Sequence, residues 1–171
     1  MRGREWRGAT DYNLAVINPA ASGALSVSLG TWAEVGGEAR AVREAVFVAE
    51  QGIPVELEWD HWDSGSLHAI ARDADGHAIG TGRLLPVDYD PAAPRIAHGG
   101  RMAVLSRARQ RGIGGMILQR LMAAARERGD TDLVLNVQTY VMSFYASHGF
   151  SAQGEVFMEA SIEHRRMRAA L

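Results

Sequence analysis

The segment Arg109-Gln110-Arg111-Gly112-Ile113-Gly114 constrains the fold more than any other part of the chain. An apolar stretch, Met102-Ala103-Val104-Leu105, precedes it, and a helical pattern of apolar residues runs from Ile113 to about Arg128. This order predicts a strand, a tight loop and the start of a helix. Amides in the first turn of a helix have no partner inside the helix, and the helix dipole favours negative charge there. The segment therefore predicts an anion site, with a solvent-exposed basic loop as the alternative.

Known phosphate-binding patterns narrow the type of ligand. A Walker loop requires Gly-Lys-Ser/Thr, and the chain contains no lysine. The dinucleotide fingerprint requires a third glycine where the chain has Ile117. An Arg-x-x-Gly-x-Gly pattern remains, in which Gly112 and Gly114 lack a Cβ and would let a phosphate approach the backbone. The pattern is compatible with a pyrophosphate cradle, but short glycine patterns recur by chance, so its placement and the downstream sequence must decide.

Composition and charge exclude several classes of protein. The 171 residues suffice for one domain with a core, and 47% hydrophobic with 22% charged residues is typical of a soluble globular protein. The net charge of −2 gives no indication of nucleic-acid binding. The absence of cysteine excludes disulfides, thiolate metal sites and a cysteine nucleophile. No apolar run reaches the ~20 residues of a membrane span, and no signal peptide is evident, so we expect no membrane association and a cytoplasmic location.

The pattern along the chain predicts a loose arm over residues 1–22 and one α/β domain over residues 23–171. The spacing predicts strands over residues 24–29, 67–72, 77–87, 95–105, 133–137, 150–157 and 162–167, and helices over 38–51, 113–128 and 139–148. Thr31 and Glu34 have the spacing of a capping box, but Gly36-Gly37 argues against a helix before Glu38. Gly99-Gly100 predicts a bulge.

Three segments, in this order, resemble the GNAT superfamily of N-acetyltransferases. Residues 102–114 look like its motif A, an apolar strand followed by Arg/Gln-x-x-Gly-x-Gly/Ala. Residues 136–150, with Phe144-Tyr145 and Gly149-Phe150, look like motif B. Residues 43–54 are similar to the first helix of a small, poorly characterised GNAT branch. The resemblance extends from about Leu25 to the C-terminus, and it implies a central mixed sheet whose parallel fourth and fifth strands splay apart, with helices on both faces.

The resemblance also implies acetyl-CoA as co-substrate. The loop after the fourth strand would bind the pyrophosphate, and the backbone of that strand would grip the pantetheine and the thioester carbonyl. Asn136 would bind pantetheine or substrate, or would merely tie a splayed strand. The cofactor-binding residues so implied are Met102, Ala103, Val104, Arg109, Gln110, Arg111, Gly112, Ile113, Gly114 and Asn136.

By the same resemblance, Tyr145 is the general acid that protonates the leaving thiolate, and His164 is the first candidate for the base. Glu58, Asp60 and His68 are expected on the acceptor side. The acidic and aromatic loop around them suggests a cationic acceptor, such as a polyamine or an amino sugar. The alternative is a lid whose tryptophans pack into the core. The histidines lack the spacing of metal ligands, so we expect no metal.

The sequence therefore predicts transfer of an acetyl group from acetyl-CoA to a primary amine of a small molecule or peptide, directly in a ternary complex. The alternative is a non-catalytic module that binds or senses acyl-CoA. A phosphate-binding scaffold unrelated to CoA is a third reading. Members of the family commonly pair, so a homodimer is a further expectation of the resemblance.

Overall fold

Seven strands form the centre of the fold, and the computed structural model describes residues 24–86 and 95–171. The predicted arm over residues 1–22 lies outside the described residues. The strands are β1 (Ser26–Thr31), β2 (Leu67–Arg72), β3 (Ala78–Leu84), β4 (Ile96–Val104), β5 (Asp132–Gln138), β6 (Ser151–Glu159) and β7 (Ile162–Ala170). They form one sheet in the order β1-β2-β3-β4-β5-β7-β6. Only the pair β4 and β5 is parallel, so the sheet is mixed, as predicted.

Four α-helices occur in the described chain, namely α1 (Trp32–Arg43), α2 (Val55–Glu58), α3 (Ile113–Glu127) and α4 (Met142–Ala146). A π-helical segment, Glu44–Glu50, continues α1 without a break. Short 3₁₀ turns lie at Asp63–Gly65, Ser106–Ala108 and Thr139–Val141. The order of elements predicted from the sequence is confirmed.

The first helix starts six residues earlier than predicted. The capping box forms, because the Thr31 amide and hydroxyl both donate to the Glu34 carboxylate, at 2.8 and 2.9 Å. Gly36 lies inside the helix for a packing reason, since a Cβ there would come within 2.8 Å of the Trp32 ring. Capping and packing therefore outweigh the low helix propensity of two adjacent glycines.

Helices cover both faces of the sheet. On one face, Val35 and Ala39 of α1 pack with Ile70, and the π-helical segment packs with Ala103. On the other face, α3 lies close to β3, where a Cβ on Gly80 or Gly82 would come within 2.8 Å of Ile117. Because successive side chains of a strand point to opposite faces, buried residues at neighbouring positions pack against the helices on opposite sides of the sheet.

The parallel pair separates halfway along its length. β4 and β5 pair only from Ile96 opposite Asp132 to Gly99 opposite Leu135. Beyond that point β4 stays paired with β3, and β5 stays paired with β7. The result is a V-shaped opening between the two strands, as predicted for strands that splay apart.

A bulge in β4 marks the start of the opening. Gly100 lies opposite Arg83 and Ala103 lies opposite Thr81, so two residues of β4 oppose the single Gly82. Arg101, one of the two, has a left-handed φ of 50°. The bulge therefore lies immediately after the predicted position at Gly99-Gly100. Bulges re-aim side chains, and this one turns Arg101 toward the α2 side of the sheet.

Candidate active site

Unpaired backbone amides line the β4 edge of the opening. The Leu105 amide donates to the Ile79 carbonyl of β3 at 2.9 Å. Successive amides of a strand point to opposite edges, so those of Met102 and Val104 point away from β3, where β5 has already diverged. Ala103 was also predicted to bind the cofactor, but it lies opposite Thr81 of β3 in the sheet and its side chain is buried. Met102 and Val104 therefore supply the donors that the opening offers.

A second group of donors lies where the loop after β4 enters α3. Gln110 and Gly112 have left-handed φ values of 62° and 76°, and Gly112 caps the helix without a side-chain hydrogen bond. Over the described ranges, no backbone carbonyl accepts a hydrogen bond from the amides of residues 110–115. We call residues 110–115 the amide cradle. Amides turned outward at a helix N-terminus suit a diphosphate.

The two glycines of the predicted motif serve different purposes. Gly112 needs glycine because of its left-handed backbone, and a Cβ there would meet nothing within 4 Å. Gly114 allows α4 to approach, since a Cβ there would lie 3.3 Å from the Phe144 ring. The sequence interpretation assigned both glycines to phosphate approach, and the structure gives Gly114 a packing role.

The two arginines of the loop also differ. The Arg109 guanidinium donates to both Glu50 carboxylate oxygens at 2.7 Å, and its Nε donates to the Val104 carbonyl at 2.9 Å. This hydrogen bonding holds the pKa of Glu50 below its usual range. Arg111 is exposed and has no ionic or hydrogen-bond partner within residues 24–86 and 95–171. Arg111 is thus the motif arginine that is available to a ligand, and Arg109 positions the loop.

Side-chain amides bridge the mouth of the opening. Gln138 at the end of β5 donates to Gln51 at 3.0 Å, and the Gln51 amide donates to the Tyr140 hydroxyl at 3.1 Å. Gln51 directly follows the π-helical segment, whose last residue is Glu50. The end of this helix is therefore tied to the β4 loop through Arg109 and to the end of β5 through Gln138.

A cavity of about 490 Å³ fills the opening and reaches both faces of the sheet. It is lined by predicted site residues from five elements and the loop after α2, and by residues at the end of β6 and in the turn that follows, among them Met102, Asn136, Tyr145, His164, Glu58, Asp60, Glu159 and Ala160. Asn136 is the first β5 residue beyond the last pair with β4, and it is exposed. Its side chain has no hydrogen bond within the described chain, so it does not tie the splayed strand.

Tyr145 lies at one end of this cavity with only 9% of its surface exposed. Its hydroxyl donates to the Met102 sulfur at 3.5 Å, a weak acceptor. The rings of Phe144 and Phe150 lie edge-on against it. Burial raises the pKa of Tyr145 to about 12, with a smaller contribution from Tyr140. The phenol is therefore protonated at neutral pH and is equipped to donate.

His164 of β7 lies on the cavity wall with its tautomer fixed. Its Nδ1 lies 2.9 Å from the Ile162 carbonyl, which can only accept a hydrogen bond. The neutral ring therefore carries its proton on Nδ1 and presents Nε2 as an acceptor. The ring stacks on Phe157 at 6.0 Å between centroids. The ring therefore offers one acceptor atom on the cavity wall, Nε2, that is unoccupied within the described chain.

The acidic loop is neutralised by arginines that come from distant segments. Arg43 bonds Glu58 at 2.5 Å and Asp63 at 2.7 Å, and Arg83 bonds Asp60 and Asp63, each at 2.7 Å. Arg101 lies 3.4 Å from both Glu58 and Asp60. We call these residues the charge cluster: Arg43, Glu58, Asp60, Asp63, Arg83 and Arg101. Three carboxylates face three guanidinium groups, so the predicted attraction for a cationic acceptor is not supported.

Burial acts unequally on these carboxyl groups. It raises the pKa of Glu58 above its usual range, despite the nearby guanidinium groups of Arg43 and Arg101. Burial also opposes ionisation of Asp60, but hydrogen bonds and charge from Arg83 hold the pKa of Asp60 below its usual range. Glu58 is therefore the carboxyl group of the cluster whose pKa is raised, whereas the pKa values of Asp60 and Asp63 are lowered.

His68 does not belong to the site, contrary to the prediction. It is fully buried, and its Nε2 lies 2.9 Å from the Asp63 carbonyl, below the acidic loop. Burial lowers the pKa of His68, so it is a neutral core residue. Trp59 likewise packs over the guanidinium groups of Arg40 and Arg43, at 4.3 and 4.7 Å. Trp59 thus fits the alternative of a packed lid, whereas Trp62 stays 41% exposed.

Sequence reasoning missed Arg83 and Arg101 as site residues. Each lies in a strand whose other residues are mostly apolar or glycine. An arginine at a buried strand position requires a carboxylate partner, and that requirement was the available signal. Their partners lie 20 to 43 residues earlier in the chain, so no local pattern links them.

One group of candidate metal ligands lies in the β2–β3 turn. Ligand atoms of Asp73, Asp75 and His77 fall within 4.8 Å of one another. The Asp73 carboxylate accepts hydrogen bonds from the amides of Asp75 and His77, which is ordinary turn chemistry. The group lies outside the cavity lining, and the expectation of a metal-free site stays a prediction.

Comparison with known proteins decides the family. The acetyltransferase (GNAT) family profile matches residues 38–150. The chain belongs to the acetyltransferase (GNAT) family. It is 36% identical over 127 residues to an uncharacterized N-acetyltransferase of Bacillus subtilis, YjcF, and the match covers 74% of this chain and 86% of that protein. The predicted family is confirmed.

Solved structures agree with this GNAT assignment. The fold is similar to that of a putative N-acetyltransferase from Lactobacillus plantarum, with a TM-score of 0.77 and 25% identity, covering 86% of this chain and 99% of that one. It is also similar to an acyl-CoA N-acyltransferase from Pseudomonas aeruginosa, with a TM-score of 0.71 and 31% identity, covering 86% and 100%. The predicted GNAT-type fold is confirmed. In the part of the chain that the structure describes, no helix is long and apolar enough to cross a membrane.

Proposed function

We propose that this GNAT protein transfers an acetyl group from acetyl-CoA to the primary amine of a small molecule or peptide, directly and in a ternary complex. One observation carries the proposal. A continuous path of unpaired donors runs from the amide cradle along the Val104 and Met102 edge of β4 to a cavity that contains Tyr145. Such a path suits a long ligand with a diphosphate at one end and a reactive carbonyl at the other.

The donor side fits acetyl-CoA through the residues present. The cradle and Arg111 would hold the pyrophosphate through backbone amides and one guanidinium group. The Met102 and Val104 amides would bind the pantetheine and polarise the thioester carbonyl, where negative charge develops. Asn136 would bind the same chain from the β5 side. The thioester supplies the activated acetyl group, and the protein supplies its orientation.

Two side chains would manage the protons. The ammonium group of the acceptor would lose a proton to His164 Nε2, directly or through water. The free amine would then form a bond to the thioester carbon as the carbon–sulfur bond breaks. Tyr145 would protonate the leaving thiolate, since a phenol of high pKa is fully protonated beforehand. Tyr145 would regain a proton from the acceptor nitrogen, which loses its second proton as the amide forms. Its high pKa also makes it a slow donor unless the thiolate lies within hydrogen-bond reach.

Thiol release from acetyl-CoA across a panel of primary amines tests this function. We expect amine-dependent release in the wild type and a 10²- to 10⁴-fold lower kcat in Tyr145→Phe, the range of one general acid. A chemically matched control is Tyr140→Phe, which removes an exposed hydroxyl at the mouth of the opening. Its kcat is expected to change less than fivefold.

The alternative functions give different results in the same assay. Tight binding of CoA without thiol release for any amine would favour the acyl-CoA-binding or sensing module. Absence of a thermal shift with CoA would favour a phosphate-binding scaffold of another kind. A cytoplasmic location and a homodimer stay predictions from the sequence.

A further inference from the structure

The guanidinium group of Arg101 is placed differently from the other two in the charge cluster. Arg43 and Arg83 lie on regular elements, and their side chains are 1% and 6% exposed. Arg101 lies in the β4 bulge, its backbone has a left-handed φ of 50°, and its side chain is 23% exposed. A left-handed conformation is unfavourable for a residue that has a Cβ. The bulge therefore keeps a cation on the cavity wall at an energetic cost.

The hydrogen bonds of the cluster leave Arg101 loosely held. Arg43 and Arg83 bond the carboxylates at 2.5 to 2.9 Å, the range of strong charge-assisted bonds. Arg101 reaches the Glu58 carbonyl only at 3.3 Å and the Asp60 carboxylate only at 3.4 Å. Its Nη1 atom has no partner among the residues that the structure describes. Arg101 thus retains free N–H groups in the cavity.

The opposite wall of the cavity has complementary chemistry. His164 presents the Nε2 acceptor, and Glu159 lines the cavity beside it. Both belong to the β6–β7 hairpin, whose turn residues Ala160 and Ser161 are left-handed without being glycine. A guanidinium group on one wall and proton acceptors on the other suit a small molecule with an anionic and an ammonium group.

We infer that Arg101 binds the carboxylate of the acceptor, and that the acceptor is an amino acid or another small amine bearing a carboxylate. The inference rests on the proposed acetyl transfer. A planar guanidinium group with two free N–H bonds matches a carboxylate better than any neutral group. The ammonium group then lies toward His164 and Glu159. The amine forms its bond to the acetyl carbon as the thioester carbon–sulfur bond breaks. Of the two protons that the ammonium group loses, one passes to the base and the other replaces the proton that Tyr145 gives to the leaving thiolate, so the thiol and an N-acetylated acid are released.

Matched acceptors test the inference with the full-length protein. Alanine, leucine and phenylalanine are each compared with the carboxamide and the decarboxylated amine of the same side chain. We expect kcat/KM for the preferred acid to exceed that of its carboxamide by about 10- to 100-fold, the range for a hydrogen-bonded charged group. The ammonium group of the carboxamide has a lower pKa than that of the amino acid. If ease of proton loss decided the rate, kcat/KM would therefore be higher for the carboxamide. A phosphonate analogue of the preferred acid separates a carboxylate site from a general anion site.

Variants assign the effect to Arg101. Arg101→Met is expected to raise KM for the acid about 10-fold or more and to leave kcat/KM for the decarboxylated amine within threefold. Arg101→Lys retains the charge but not the planar guanidinium group, and it is expected to recover part of the preference. Arg126→Gln changes an exposed arginine on α3 that does not line the cavity, and it should change neither value.

Each outcome has one meaning. Loss of the acid preference in Arg101→Met, with partial recovery in Arg101→Lys, supports the inference. Wild-type turnover that ignores the carboxylate, that prefers the phosphonate, or that falls equally for all acceptors in Arg101→Met overturns it, while the acetyltransferase function stands. No thiol release with any amine overturns the proposed function itself.

Discussion

The amide cradle and the charge cluster solve the problem of binding in opposite ways. The cradle uses backbone amides from one continuous segment, residues 110–115, and its donors point outward. The charge cluster uses side chains from four separate segments, and most of its hydrogen bonds are made internally. One site is therefore built to receive a ligand, and the other is built mainly to hold the acidic loop.

This difference explains where specificity can arise. A backbone cradle is insensitive to side-chain substitution and binds a group shared by many ligands, such as a diphosphate. A balanced cluster of charges fixes its own geometry, and Arg101 is the guanidinium group in it that is most exposed to a ligand. In the proposed function, recognition of the CoA diphosphate thus depends on local sequence. Recognition of the acceptor depends on one residue, Arg101, in the β4 bulge.

The largest expected effect breaks the charge cluster. Arg43→Met removes the cation between two buried carboxylates, Glu58 and Asp63, whose side chains are 3% and 6% exposed. Removing one partner of a buried ion pair typically costs about 3–5 kcal/mol. We expect a loss of this size in the free energy of unfolding, measured with urea. Arg40→Met is the control, because Arg40 is exposed on the same helix and also contacts Trp59, but it has no carboxylate partner in the charge cluster. It should cost less than about 1 kcal/mol. Equal losses would mean that helix packing, and not charge, stabilises the loop.

A smaller effect concerns the cavity that joins the two regions. The chain has four tyrosines, no lysine and no cysteine, so absorbance changes near pH 10 to 12 report tyrosine ionisation alone. With its pKa raised to about 12, Tyr145 should ionise last, and Tyr145→Phe should remove the most alkaline step. The stability that burial of the neutral phenol provides is complete below about pH 10 and is lost as the pH rises toward 12. Ionisation of Tyr145 near pH 10, together with ordinary tyrosines, would show that water reaches its hydroxyl and that burial does not raise its pKa.

The cradle itself should respond to its glycine. Gly112 has a φ of 76°, so Gly112→Ala is expected to destabilise the fold by about 1–2 kcal/mol and to weaken binding of CoA. Gly37→Ala is the matched substitution, because Gly37 is exposed in α1 and a Cβ there meets nothing within 4 Å. It should stabilise the protein by about 0.5–1 kcal/mol. Thermal denaturation of both variants measures whether the two changes in stability have opposite signs. A change of the same sign in both would contradict the requirement for glycine at the left-handed position 112.

The smallest effects separate the two motif arginines. Arg111→Gln should raise the Kd for CoA about five- to tenfold, because its guanidinium group is free to bind a phosphate. Arg109→Gln should raise it less, because Arg109 already donates to Glu50 and Val104. Calorimetric titration at two salt concentrations measures both. A larger effect of Arg109 would mean that its pair with Glu50 opens when the ligand binds.

Local periodicity in the sequence predicted the order of elements, and contiguous motifs predicted the family. The splayed parallel strands were predicted only through the resemblance to that family, because periodicity does not fix which strands are neighbours. Sequence reasoning misplaced the start of α1, where a capping box and the packing of Gly36 against Trp32 outweigh propensity. It also took the acidic loop for a cation site, because its neutralising arginines at 43, 83 and 101 become neighbours only in the folded sheet. Which distant residues neutralise one another depends on the fold, and no local sequence pattern shows it.

The most direct test is a set of backbone amide spectra of ¹⁵N-labelled protein recorded during titration with acetyl-CoA. Binding of the diphosphate and pantetheine to unpaired amides should shift the signals of Val104 and residues 111–115 more than those of the β1–β2 region. Saturation of these shifts should coincide with the calorimetric Kd. Signals of residues 104 and 111–115 that stay unmoved while CoA binds elsewhere would contradict the cradle and, with it, the proposed acetyl transfer.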